Sequence, residues 1–481
     1  MKTIVEQLDP IFRPGSIAVI GASSKTAKWG YRMLNRPLRT GYRGAIYPVT
    51  ESGERIANLP AYRSVLDIPG PVDLAVVTVP APRVPAVMRE CVAKKVKGAV
   101  LITAGFAEVG PDGKVLEDEV VRIARDGGIR FVGPNGMGIW SAAGQLNLCF
   151  EQAPLTGPIA FVSQSGTFGV ALSEIAGAKG YGLSKFISIG NQADLAAEDY
   201  LEYLATDDQT KVVVFYMEGF KDGRRFLDVA RQVVRHKPIV IFKAGRTAVG
   251  GRATQSHTAS LAGSDEVFDA VCNQIGLIRV QEALHAFDVA EALASSPLPR
   301  GRRVAILGSG GQGVVTADAC ASLGLEVPEL DAETVKGLMK GLPPHAPPPR
   351  NPVDFAGSFR TGREEAAVVE TLLRQDYIDG VISNVPMNPA AFAAMLGFVG
   401  MPKPLLDITK VAIDGADHFS SLPSRYGKPI IVTRFRRFAH DMVIDILKGA
   451  GIPIADSPED AARAMFSLVR YAEIRKRAGS S

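Results

Sequence analysis

Cysteine is scarce in this 481-residue sequence: Cys91, Cys149, Cys272 and Cys320 are dispersed, with none of the spacings that hold a metal. They read as buried or incidental thiols in a reducing compartment, and no metal site is expected. Charge of one sign is also lacking, since 54 Lys and Arg stand against 50 Asp and Glu for a net +4. With no basic run there is no nucleic-acid footprint, so any phosphate-rich ligand has to be held locally. Long apolar runs are missing too: the stretch Val72 to Pro80 falls far short of the roughly 20 residues that cross a bilayer. The opening MKTIVEQLDPIFRP has one Lys and no apolar core of a secretory signal. Together these absences lead to the expectation of a cytoplasmic protein with neither a nucleic acid nor a membrane as partner.

What is present suits packed globular units: 46% hydrophobic and 22% charged residues over a length that suggests about three domains. Short β-branched runs, glycine turns and helix-period segments alternate, which indicates parallel βαβ construction and an α/β fold. The expected strands of a first, Rossmann-like sheet are 16–20, 44–49, 74–79, 98–102 and 130–132. A second series, 159–162, 185–189, 212–216 and 238–242, and a third, 303–307, 380–384 and 429–433, resemble flavodoxin-like units. Composition shifts at Glu151 to Pro158 and at Ser295 to Gly301 mark joints, giving expected domains 1–140, 153–296 and 300–472. The stretch LPPHAPPPRNPVD, Leu342 to Asp354, is neither regular helix nor central strand, and reads as a loop with a defined task or a spacer.

Three segments carry chemistry. The first expected strand runs into GASSKTAKWG, Gly21 to Gly30, where free backbone N–H groups and the positive end of a helix suit a phosphate-bearing cofactor. Its spacing is not G-x-G-x-x-G, and the second strand ends in Pro48 and Val49, with Glu51 slightly beyond, so the dinucleotide fingerprint fails. FVSQSGTFGVALSE, Phe161 to Glu174, is a second strand-turn-helix. Its Ser165, Gly166 and Thr167 leave an uncrowded helix start that reads as an anion site or an ordinary N-cap. The third is KAGRTAVGGRATQSHTASLAGSDEVFDAV, Lys243 to Val271, read as a long small-residue loop that resumes helix near Ser264. His257 sits there with no apolar periodicity to bury it, which favours a chemical role. Imidazole accepts a phosphoryl group when one nitrogen attacks and a carboxylate holds the other. Glu218, just past a strand end, is the candidate partner, or else a solvated loop carboxylate.

These strings resemble the acyl-CoA synthetase (NDP-forming) family, which includes the succinyl-CoA synthetase α subunit and ADP-forming acetyl-CoA synthetases. IAVIGASS with YPV, VVTVPAP and LITAGFAE is similar to its CoA-binding domain, VSQSGT to its phosphate-binding helix start and SHTASLAGSD to its phosphohistidine loop. GSGGQGVVTADAC and NPVDFAG are similar to its last ligase domain. The resemblance covers nearly the whole chain. It implies an N-terminal Rossmann-like CoA-binding domain followed by two flavodoxin-like α/β domains. It further implies that His257 is transiently phosphorylated, that Glu218 steadies it and that the amides of Ser165, Gly166 and Thr167 hold the phosphate. Gly21, Ser23, Ser24, Lys25, Val49, Val79, Pro80 and Phe106 would line a groove for coenzyme A.

The family commonly has Cys after GPN. Here Asn135 is followed by Gly136, which leaves room for a bulkier acyl group or is neutral drift, and these two residues are the expected acyl site. No segment resembles an ATP-grasp domain, so ATP or ADP with Mg2+ is expected on a separate ATP-grasp β subunit, in an α2β2 assembly or with the α chain as a dimer. The implied reaction joins a carboxylic acid, with a monocarboxylate preferred, to CoA. A CoA-sensing protein without activity and a Rossmann oxidoreductase are the rival readings. Intact His257, Glu218 and the Ser-Gly-Thr turn argue against the first, and the glycine spacing against the second.

Overall fold

The computed structural model describes residues 3–258, 264–340, 347–355, 361–386, 405–434 and 441–479, giving the backbone course alone for 255–258, 405–408 and 479. The chain forms two compact units, 1–287 and 288–481. The first expected domain, and the second as far as 287, thus fall in one unit.

A helix that the sequence reading passed over, α1 (Ile4–Phe12), opens the first unit. Thr3 and Glu6 form a capping box, and Leu8, Ile11 and Phe12 make one buried face at helical spacing. Phe12 stacks on Tyr203 at 4.9 Å between ring centroids. The first sheet follows: β1 (Ser16–Ile20), β2 (Ala45–Val49), β3 (Leu74–Val77), β4 (Gly98–Leu101) and β5 (Arg130–Val132), all parallel, in the order β2-β1-β3-β4-β5. Every residue of β1, β3 and β4 is buried, as continuous apolar runs require when helices cover both faces. The helices between these strands are α2 (Trp29–Arg39), α3 (Val84–Lys94) and α4 (Pro111–Asp126).

The second sheet comprises β6 (Ile139–Ser141), β7 (Leu146–Asn147), β8 (Thr156–Ser163), β9 (Leu183–Ser188), β10 (Val212–Met217), β11 (Ile239–Lys243) and β12 (Ile278–Arg279). Its order is β12-β11-β10-β8-β9-β6-β7, with β6 antiparallel to β9. The expected domain end at 140 therefore falls inside β6. Its helices include α5 (Gly166–Ala178), α6 (Ala197–Ala205), α7 (Gly223–Val233), α8 (Ala248–Thr258) and α9 (Asp265–Ile275). Asp194, whose side chain is wholly buried, accepts from Arg125 Nε and Arg130 Nε, each at 2.9 Å, and from the Phe131 amide at 3.0 Å. That carboxylate pins β5 of the first sheet to the loop that follows β9.

The second unit carries β13 (Val304–Gly308), β14 (Val353–Asp354), β15 (Gly380–Asn384), β16 (Ile430–Thr433) and β17 (Ile454–Ala455), parallel in the order β14-β13-β15-β16-β17. The Pro-rich stretch is described only from 347 onward, where it leads into β14; its part before that lies outside the described residues. No described helix is long and apolar enough to cross a membrane.

Topology sets where a ligand can sit. From β1 the chain goes to β2 on one side and β3 on the other, and from β8 it goes to β9 on one side and β10 on the other. Such switch points leave a crevice beyond the carboxyl ends of the strands.

Candidate functional site

Both crevices of the first unit open on one cleft of about 1040 Å³. On the first-sheet side it is lined by the turn after β1, the ends of β2 and β3, and the segment Asn135 to Met137; on the second-sheet side by Gln164 to Thr167. Gly21, Ser23, Val49, Val79, Pro80, Asn135, Gly136, Ser165, Gly166 and Thr167, all singled out from the sequence, are brought together here.

The turn after β1 is built differently from the expectation. The amides of Gly21 and Ala22 are taken by the Val49 carbonyl at 3.0 and 3.1 Å, and the Ser23 hydroxyl accepts the Lys25 amide at 3.1 Å. Helix α2 begins only at Trp29, with Lys28 as an N-cap that makes no side-chain cap bond. Ala27 to Gly30 line the cleft, with the Lys28 amide given to the Lys25 carbonyl at 3.0 Å, whereas Ser24 and Lys25 are exposed and are not among its lining residues. Gly30 is required by this arrangement, because a Cβ there would stand 1.9 Å from the Gly21 carbonyl oxygen. Gly21 itself has φ +90°, and a Cβ would meet Thr78 Oγ1 at 2.7 Å. Phe106 is a second correction: it is fully buried in the apolar core with Val79 and Ala81, so it backs the wall of the cleft rather than lining it.

Helix α5 likewise starts uncapped, for Ser165 makes no side-chain bond to the first turn. Uncapped amides at a helix start are of the kind that suits an anion. The Ser188 hydroxyl, at the end of β9, accepts the Met137 amide at 2.8 Å. A Cβ on Gly166 would meet Met137 Cγ at 2.4 Å, so the absence of a side chain lets the Asn135 to Met137 segment lie against the helix start. Asn135, at φ +59°, donates to Asn191 Oδ1 at 3.3 Å. The Asn191 amide group in turn donates to Glu108 Oε2 at 2.6 Å and Glu117 Oε2 at 2.9 Å. Burial opposes ionisation of Glu108, yet the bonds from Asn191 and from the Gly105 and Phe106 amides hold its carboxyl below the usual range.

Glu218 follows directly on β10 and is 4% exposed, so it is not a solvated loop carboxylate. Its amide and that of Gly219 donate to Gln164 Oε1 at 2.9 and 3.1 Å, which ties it to the residue before Ser165. Burial, with the charge of Glu218 added, pushes the neighbouring Tyr216 hydroxyl up to about 12. The sequence signal for Gln164 is its place between Ser163 and Ser165, just past the end of β8.

His257 lies in α8, and its side chain is outside the described residues, as is the segment 259–263. The small-residue loop expected here is helical over Ala248–Thr258. Thr247 starts it, its hydroxyl accepting the Gly250 amide at 3.0 Å while its carbonyl accepts Gly251 at 2.7 Å. A helix without apolar periodicity gives no pattern to read. It packs against the single turn Ala107–Val109, which contains Glu108. No group of His, Cys, Asp and Glu fit to hold a metal occurs among the described residues.

Comparison with known proteins finds matches to both halves of this unit and to the chain as a whole. A family model described as CoA binding domain matches residues 15–142, and one described as succinyl-CoA ligase like flavodoxin domain matches residues 156–293. The chain is 38% identical over 467 residues to acetate–CoA ligase (ADP-forming) II subunit alpha of Pyrococcus furiosus, covering 97% of this chain and 98% of that one. It is 37% identical over 472 residues to the corresponding I subunit alpha of the same organism, with 97% and 98% covered. The solved structure of dinucleotide forming acetyl-coenzyme A synthetase 1 of Ca. Korarchaeum cryptofilum, in complex with phosphate and ADP, matches with TM-score 0.85 and 33% identity over 98% of each chain.

Proposed function

Since the chain belongs to the family of ADP-forming acyl-CoA ligase α subunits, we propose that it interconverts acyl-CoA, phosphate and ADP with a carboxylic acid, CoA and ATP by way of a phosphohistidine at His257. The observation that carries this reading is the single cleft on which two uncapped helix starts open, one suited to the diphosphate of CoA and the other to a free phosphate. CoA would lie along Gly21, Ser23, Val49, Val79 and Pro80, with Ala27 to Gly30 at its phosphates. Phosphate would sit on the amides of Ser165, Gly166 and Thr167, next to the acyl group at Asn135 and Gly136.

In the CoA-releasing direction the held phosphate attacks the thioester carbonyl carbon, the C–S bond breaks and CoA leaves as the thiol, giving an acyl phosphate. A neutral nitrogen of His257 then takes the phosphoryl group, the P–O bond breaks and the carboxylate departs. Glu218 keeps the useful tautomer and offsets the charge that develops on the ring. Nucleotide chemistry falls to a separate ATP-grasp β subunit with Mg2+, in an α2β2 assembly in the cytoplasm. The division into domains 1–140, 153–296 and 300–472 is part of the same reading, the first two sharing the site.

The test is to incubate the chain and an ATP-grasp β subunit with γ-labelled ATP and assay for acid-labile, base-stable label. His257→Ala should abolish labelling, and Glu218→Gln should slow it by roughly 10- to 1000-fold, as loss of one oriented electrostatic partner does. Equal label on the His257→Ala chain, or none on the wild type during turnover, would overturn the mechanism.

A further inference from the structure

At the end of β2 the cleft carries a feature that CoA binding by the β1 turn alone leaves unexplained. Glu51, next but one after β2, forms an ion pair with Arg83, which closes the turn Ala81–Arg83 beyond β3, and both line the cleft. In doubly wound sheets the ribose of a bound nucleotide lies at the end of the second strand. An acidic residue there bonds its free hydroxyls, and an arginine accommodates a phosphate esterified to one of them. Both residue types stand here, and they neutralise each other. A lone Glu51 would repel a ribose phosphate, whereas one matched to Arg83 leaves the guanidinium to turn toward it.

Two further cations line the same cleft and make no side-chain hydrogen bond or ion pair among the described residues: Lys28 and Arg63. Lys28 caps α2, beside the phosphate-facing turn. Arg63 lies over Gly53, where a Cβ would meet its Cγ at 3.0 Å, so its stem is seated by the connection that follows β2. The cations are thus divided between two places, one at the α2 start and one beyond β2 and β3, as are the diphosphate and the ribose phosphate of CoA.

We propose that Arg83, with Arg63, recognises the 3′-phosphate on the ribose of CoA, and that Glu51 holds the Arg83 side chain in position until that phosphate arrives. The proposal rests on the CoA reading above. It makes this corner of the cleft the part that distinguishes CoA from its 3′-dephospho form. Because Arg83 and Glu51 are exposed, their replacement leaves the core intact.

Calorimetry on the purified full chain with CoA and with 3′-dephospho-CoA tests it. Wild type should prefer CoA by roughly 10- to 100-fold, the usual weight of a hydrogen bond to a charged group. Arg83→Ala should remove most of that preference by weakening CoA alone, and Arg63→Ala should remove a smaller part. Glu51→Gln should keep or strengthen the preference. Equal affinity of the wild type for the two ligands, or an equal loss of both in Arg83→Ala, would overturn the assignment while leaving CoA binding in place. A wild-type chain that binds neither would overturn the CoA reading itself.

Discussion

At Gly136 the sequence leaves two readings open, room for a bulkier acyl group or neutral drift, and the surroundings of the residue bear on both. From the sequence, the missing side chain leaves acyl space. In the structure a Cβ at this position points at the end of β9, 2.8 Å from the Ser188 carbonyl oxygen and 3.4 Å from its Oγ. A side chain there has to separate two backbone segments that the Met137 amide bond to Ser188 holds together. Gly136→Cys should therefore lower stability by about 1–3 kcal/mol, as overpacking does. It should also reduce kcat/KM by a similar factor for small and large acids. Thermal unfolding and a panel of carboxylic acids check this; a loss confined to large acids would show that the side chain enters the acyl space after all.

Among the elements, the start of α2 depends on a glycine for close approach, whereas a glycine near the end of α5 does not. Gly30→Ala forces α2 away from the Gly21 carbonyl, and an anion site displaced by about 1 Å should weaken CoA binding by roughly tenfold or more. Gly177, within α5, has open space where a Cβ would go, so Gly177→Ala should leave CoA affinity unchanged and stabilise the chain by about 0.5–1 kcal/mol. Calorimetry and melting curves on the two variants separate a glycine needed for close approach from one that is not.

In the second unit, Glu370 clamps helix Gly362–Leu373 to helix Leu405–Tyr426. Its Oε1 accepts from Tyr426 Oη at 2.7 Å, Arg374 Nη2 at 2.8 Å and Arg425 Nη1 at 3.0 Å, with His418 Nε2 3.1 Å from Oε2. The Tyr426 bond first, with Arg374 and Arg425 outweighing burial, holds the carboxyl at about 2. A folded value below the unfolded one, roughly 4.3, means that this contribution is complete above that pH and is lost as pH falls toward 2. Urea unfolding of wild type should weaken across this window, and Glu370→Gln should be less stable above it and show less of that slope.

For the whole molecule, the cleft is complete within residues 1–287, although it draws on two sheets. A fragment 1–296, which keeps helix His285–Ser295 entire, should fold and bind CoA as the full chain does. Calorimetry on the fragment decides this, and loss of binding would mean that the second unit contributes to the site. The same organisation explains why three repeats of βαβ patterning do not give three equal compact bodies. The Asp194 carboxylate and the α1 face join the first two sheets through contacts between residues far apart in sequence.

Strands Ser16–Ile20, Arg130–Val132 and Gly380–Asn384 match their sequence-based bounds, because a strand inside a parallel sheet is a continuous apolar run ended by turn residues. The two turns that line the cleft were legible for a similar reason: a glycine or serine at a strand end is a local signal. Local pattern says nothing about which turn amides remain free. That depended on the Val49 carbonyl capturing those of Gly21 and Ala22, and on α2 starting only at Trp29. Nor did it reveal the Asn135, Asn191, Glu108 and Glu117 network or the Glu51 and Arg83 pair, in each of which the two sides of every bond come from separate connections. The sequence by itself determined the α/β alternation and the family, since these rest on short-range pattern. Only the tertiary structure decided which residues share a cleft, because strand order and switch points bring together the ends of strands that the chain visits far apart.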